Sequence, residues 1–149
     1  MNQPDPHLVP IVELLPHAPP MVLLDRVLAC DGERLVAEVT IRPDSEFCVD
    51  GKVGVWVGIE YMAQAVAAWS GWQARLRGEP VKIGFLLGTR RYDGHIAAFA
   101  VGDCLQIHVE REFQADNGLA RFRAEVRRDE QLYAAASISV YEPPAVSVV

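Results

Sequence analysis

The sequence has no CxxC pair and only three cysteines, Cys30, Cys48 and Cys104. An odd, widely spaced set argues against a disulfide framework or a zinc knuckle. It reads as reduced thiols in a cytoplasmic protein. No apolar run approaches the ~18 residues of a membrane span. The opening MNQPDPHLVP has neither the basic nor the apolar part of a signal peptide. Positive charge is in deficit too: 14 Lys+Arg stand against 20 Asp+Glu, a net charge of −6. That balance makes nucleic acid an unexpected partner. No GxGxxG fingerprint, P-loop, GxSxG elbow or HExxH occurs. Dinucleotide, nucleotide, serine-hydrolase and zinc chemistries are therefore disfavoured, and no metal site is expected.

What is present suits one globular unit. The 149 residues, 50% hydrophobic and 23% charged, are enough for a single cored domain over 1–149. Prolines gather at the two ends: Pro4, Pro6, Pro10, Pro16, Pro19 and Pro20, then Pro143 and Pro144 before a loose AVSVV tail.

Met21 to Cys30 is a short apolar run, and Leu35, Ala37, Val39 and Ile41 alternate with mostly polar neighbours. Asp31-Gly32 between them predicts a hairpin. Pro43 to Lys52 reads as loop. Val55, Ile59, Met62, Val66, Trp69 and Leu76 recur at helical spacing, predicting one helix over Gly54–Arg77 with Gly78 as its stop. The rest of that helix is small or apolar, which predicts burial. About four antiparallel strands follow. One runs from Ile83 to Tyr92, and one places Leu105, Ile107, Val109 and Phe113 inward with His108 solvated. Two more flank turns at Asn117-Gly118 and Asp129-Glu130. The expected class is α+β, an antiparallel sheet around one long helix.

Two residues attract chemical attention. Glu60 sits in "GIEYMAQAVAAWSG" (Gly58–Gly71), a carboxylate among apolar neighbours. Burial of an unpaired carboxylate is expensive, so either its head reaches water or the site needs a carboxyl group. Gln64, at i+4, shares its face and can hydrogen-bond to it. His17 sits in "LLPHAPPM", pinned among prolines and close to neutrality in its ordinary pKa. A structural loop or capping role stands beside a catalytic one. Gly51, Gly54 and Gly58 lead into the helix, where free N–H groups attract a polarised oxygen. Arg90 and Arg91 end "GFLLGTRRY", a pair suited to an acidic partner or simply to solvent.

These pieces together resemble a known family. "LLPHAPPMVLLDRV" (Leu14–Val27) is similar to the LLPHR.P.LLVDRV opening of hotdog-fold 3-hydroxyacyl-[acyl-carrier-protein] dehydratases. "GIEYMAQA" resembles their E.MAQ helix. With "GFLLGTRRY" added, the likeness is nearest to the dehydratase-like subgroup of aryl-polyene biosynthesis. The resemblance spans almost the entire chain. It implies a hotdog fold, Glu60 as a catalytic acid and Gln64 as the residue that orients it. The family's histidine segment GHFP..P..PG has no counterpart: "EFCVDGKVGVWVG" (Glu46–Gly58) contains no histidine, with Asp50 loosely nearest the lost position. His17 is then expected to act as the base. Backbone N–H groups around Val55, Trp56 and Gly58 would hold the thioester carbonyl, with the hydroxyl near Gln64. No cofactor is expected, the substrate being carried on the phosphopantetheine of an acyl carrier protein. Arg90 and Arg91, with Lys82, would contact that carrier. A homodimer, or a heterodimer with a related hotdog chain, is expected. Two other readings stay open: a hotdog thioesterase relying on Glu60, and a non-catalytic subunit that partners an active dehydratase.

Overall fold

The computed structural model describes residues 5–81 and 85–142, with the side chains of 85–87 left aside. Lys82, Ile83 and the 143–149 tail lie outside the described residues.

The element order is β1 (Arg26–Cys30), β2 (Arg34–Thr40), β3 (Cys48–Val49), β4 (Lys52–Gly54), a 3-10 turn (Val55–Val57), α1 (Gly58–Leu76), β5 (Phe85–Gly94), β6 (Ala98–Ala100), β7 (Cys104–Gln114), β8 (Leu119–Arg128) and β9 (Gln131–Tyr141). Six strands form one antiparallel sheet in the order β1-β2-β7-β8-β9-β5, and β3-β4-β6 form a small second sheet. The large sheet covers α1, with the core between them.

The period-2 pattern explains the sheet. Leu35, Ala37 and Val39 on β2, Leu105, Ile107 and Val109 on β7, and Ala120, Phe122, Ala124 and Val126 on β8 are all buried. From the helix, Met62, Ala65, Val66, Ala68 and Trp69 meet them, with the Trp69 and Phe122 rings edge to face at 5.3 Å. Each large side chain so buried contributes roughly 1.5–3 kcal/mol. Helix α1 stops where the sequence indicates. Gly78 takes φ +70, its N–H donates to the Arg75 carbonyl, and the Glu79 N–H donates to the Ala74 carbonyl. That is a Schellman end, which a β-carbon at Gly78 would strain.

Five expectations need correction. The stretch 43–52 is not all loop: Asp50 (φ 54) and Gly51 (φ 75) make a tight turn between β3 and β4. Helix α1 begins at Gly58 rather than Gly54, because the 3-10 turn precedes it. In the Met21–Cys30 run only Arg26–Cys30 is strand. Phe113 is 49% exposed, because the β7–β8 register shifts between Arg111 and Phe113 and turns its side chain out of the inward set. His108 is half-buried rather than solvated. It lies between Val36 and Glu125 on neighbouring strands, and burial pulls its imidazole below the usual value.

Candidate active site

The N-terminal arm crosses the face of α1 that the large sheet leaves uncovered. The contact depends on Gly71, whose missing β-carbon would lie 2.0 Å from the Leu14 carbonyl oxygen. Leu14 and Leu15 are buried there, and the arm continues to His17. His17 Nε2 comes to 3.7 Å from Glu60 Oε1, with the two side chains 29% and 37% exposed. This is longer than a hydrogen bond and within the distance of an ion pair. His17 Nδ1 is buried and has no partner among the described residues.

Gln64 holds the arrangement. It is fully buried. Its Oε1 accepts from the Leu23 N–H at 2.9 Å. Its Nε2 donates to the Met21 carbonyl at 2.6 Å and to Glu60 Oε1 at 3.1 Å. The backbone N–H of Leu23 can only donate, so the amide cannot be flipped. Both of its N–H groups are thus engaged within the chain, one on the arm that carries His17 and one on Glu60. This side chain positions the pair, with both donors spent within the chain. The Met21 and Leu23 backbone groups carry no sequence signal, so sequence reading misses this connection.

The expected N–H groups divide. The Val55 N–H donates to the Ala97 carbonyl at 3.1 Å, and the Gly58 N–H turns back to the Val55 and Trp56 carbonyls. Neither is open to a ligand, because the β5–β6 turn docks on Val55 and the 3-10 turn closes on Gly58. The Trp56 N–H lies in the 3-10 turn that leads into α1, at its N-terminal end, where the turn offers no acceptor of its own. The Trp56 ring is 63% exposed and stands edge to face with Phe47 at 5.7 Å.

Arg90 and Arg91 are both exposed, although neighbours on a strand normally face opposite ways. A bulge explains it. Arg90 pairs with Ser137 and Asp93 with Ala135, so two β5 residues stand opposite one on β9, and Arg91 takes φ +62. The Arg91 guanidinium lies 3.8 Å from Asp93. Among the described residues no group of three or more His, Cys, Asp or Glu side chains could hold a metal ion. No described helix is long and apolar enough to cross a membrane.

Comparison with known proteins places the chain in a family. No curated protein matches the sequence. Among solved structures, the dehydratase heterocomplex ApeI:P from Xenorhabdus doucetiae matches with TM-score 0.85 and 30% identity over 91% of this chain and 92% of that one. A hypothetical thioesterase with coenzyme A from Streptococcus pneumoniae matches with TM-score 0.64 at 11% identity, covering 82% of this chain and 88% of that one. The PaaI protein of E. coli matches with TM-score 0.61 at 12% identity, covering 77% and 80%. The last two show the shared hotdog fold alone. The ApeP dehydratase model matches residues 9–149, and the chain belongs to the ApeP-like dehydratase family.

Proposed function

We propose that this protein dehydrates 3-hydroxyacyl thioesters on an acyl carrier protein to trans-2-enoyl thioesters, in aryl-polyene or fatty-acid-type biosynthesis. The observation that carries the reading is the His17–Glu60 pair, 3.7 Å apart and tied together through Gln64. Dehydration needs a base for the C2 proton and an acid for the departing C3 hydroxyl. In the proposed cycle neutral His17 takes the C2 proton, and the protonated Glu60 carboxyl gives its proton to the hydroxyl, which leaves as water. The pair is left as imidazolium and carboxylate. Their proximity stabilises that ion pair and lets the proton return from His17 to Glu60. As C2 is deprotonated, the thioester oxygen gains negative charge, and the Trp56 N–H at the helix start is suited to receive it.

The exposed Arg90–Arg91 pair suits an acidic carrier. The net charge of −6 opposes such docking at long range, so a local patch has to supply the attraction. The Xenorhabdus relative is described as a heterocomplex. We extend that to a hotdog partner for this chain, either a second copy or a related chain. The buried, unpartnered His17 Nδ1 and the exposed Phe47, Val49 and Trp56 support it.

The test is mass-spectrometric detection of water loss from 3-hydroxyacyl carrier protein. Wild type, His17→Ala and Glu60→Ala would be compared, each alone and with a related hotdog chain. Water loss by wild type that both folded variants lack supports the assignment. Wild type inactive under every condition, with aromatic and polyene substrates included, overturns it.

A further inference from the structure

Tyr92 follows the two exposed arginines, and strict alternation from exposed Arg90 would turn it outward. The bulge at Arg91 reverses that parity and sends Tyr92 inward, where it is half-buried. The left-handed backbone of Arg91 is one that a β-carbon disfavours, so something must hold it.

What Tyr92 reaches is the start of the helix that carries Glu60. Its hydroxyl donates to the Val55 carbonyl. The Val55 N–H is held by the carbonyl of Ala97, just beyond the same strand, so both backbone groups of Val55 are gripped from β5 and the turn that follows it. Gly58 leaves the space for this. A β-carbon there would lie 2.3 Å from Tyr92 Oη and 3.4 Å from Phe99 Cζ. Burial pushes the phenol up to about 12, so the hydroxyl keeps its proton and remains a donor.

We infer that Tyr92 is a positioning residue. Its hydroxyl fixes the Val55–Val57 turn and so sets where the Trp56 N–H and Glu60 stand relative to the substrate. The catalytic part of this inference rests on the dehydratase reading above; the positioning part does not.

The experiment pairs amide hydrogen exchange with kinetics on the full chain. In Tyr92→Phe the ring stays and only the hydroxyl goes. Exchange of the 56–60 amides is expected to rise at least tenfold while β7 and β8 stay unchanged. The kcat for dehydration is expected to fall about tenfold with KM within twofold, the mark of lost transition-state rather than ground-state binding. A residue that only stabilises the fold would raise exchange throughout and leave kcat alone. Gly58→Ala should loosen the same amides by clashing with the hydroxyl, and Gly58→Ala/Tyr92→Phe should recover protection relative to Gly58→Ala. Unchanged exchange at 56–60 in Tyr92→Phe overturns the inference, whatever the activity. Raised exchange with unchanged kcat overturns the catalytic part. If wild type itself proves inactive, the dehydratase reading fails, and the exchange data alone decide whether Tyr92 sets the turn.

Discussion

His17 Nε2 lies 3.7 Å from Glu60 Oε1, one on the N-terminal arm and the other in the first turn of α1. A pair that passes one proton between its members should fail as a unit. Glu60→Gln and His17→Ala are each expected to lower single-turnover dehydration by about 10²–10⁴-fold. The double variant should be scarcely worse than either alone. Losses that multiply in the double variant would mean that the residues act separately, and the shared-proton cycle would be wrong.

Gln64 links arm and helix through three hydrogen bonds while fully buried. Gln64→Ala leaves the Leu23 N–H and the Met21 carbonyl without their partner. Both groups are part-buried and water reaches them, so each loss costs about 1–2 kcal/mol, the lower part of the range for an unsatisfied group. At roughly 2–4 °C per kcal/mol for a domain of this size, Tm should fall by about 10 °C. Gln64→Glu keeps the shape but brings a second carboxyl beside Glu60 and removes both donors. It should be at least as unstable and should lose dehydration activity. Near-wild-type melting of both variants would show that the arm is held by other contacts.

The legibility of this fold followed the length of its signals. Helix α1 and strands β2, β7 and β8 carry long apolar patterns and stand where the sequence places them, the helix's first four residues excepted. Strands β3 and β4 are two and three residues long, too short for periodicity to register. The bulges at Arg91 and before Phe113 reverse parity by one residue, and nothing in the side-chain pattern announces them. The site was legible as residue types. Glu60 stood out as a carboxylate in an apolar helix, and His17 as a histidine fixed among prolines. Their proximity came only through the family resemblance, since no spacing joins an arm residue to a helix residue. Tyr92 was missed because its inward direction depends on the bulge.

Gly71 offers a test far along the helix from Glu60. Its absent β-carbon would sit 2.0 Å from the Leu14 carbonyl oxygen, a backbone atom that cannot move without the arm. Gly71→Ala is expected to lift the arm and carry His17 away from Glu60. Overpacking of this kind costs about 1–3 kcal/mol or more, so both Tm and kcat should drop. Gly32 is the control, since nothing lies within 4 Å of a β-carbon built there. Gly32→Ala should leave both quantities near wild type. A Gly71→Ala variant with wild-type kcat would show that the arm's seat on the helix does not place His17.

Glu38 gives the protein an acid-sensitive joint away from the site. Its carboxylate accepts from Cys104 Sγ at 2.7 Å and from Arg26 Nε at 2.5 Å, joining β7 and β1 across β2. These partners, Cys104 first and Arg26 second, hold its carboxyl below the usual glutamate value. The unfolded chain, with an ordinary value near 4.3, therefore binds the proton more readily than the folded one. Stability from this group is present above that value and is lost as pH falls through the folded one. Between pH 6 and pH 3 the urea midpoint of wild type should fall further than that of Glu38→Gln, which has no charge to lose. The two curves should converge at the acid end and separate as pH rises. Parallel curves across that range would mean that the Cys104–Glu38–Arg26 bridge contributes nothing to folding, its partly exposed guanidinium being screened by solvent.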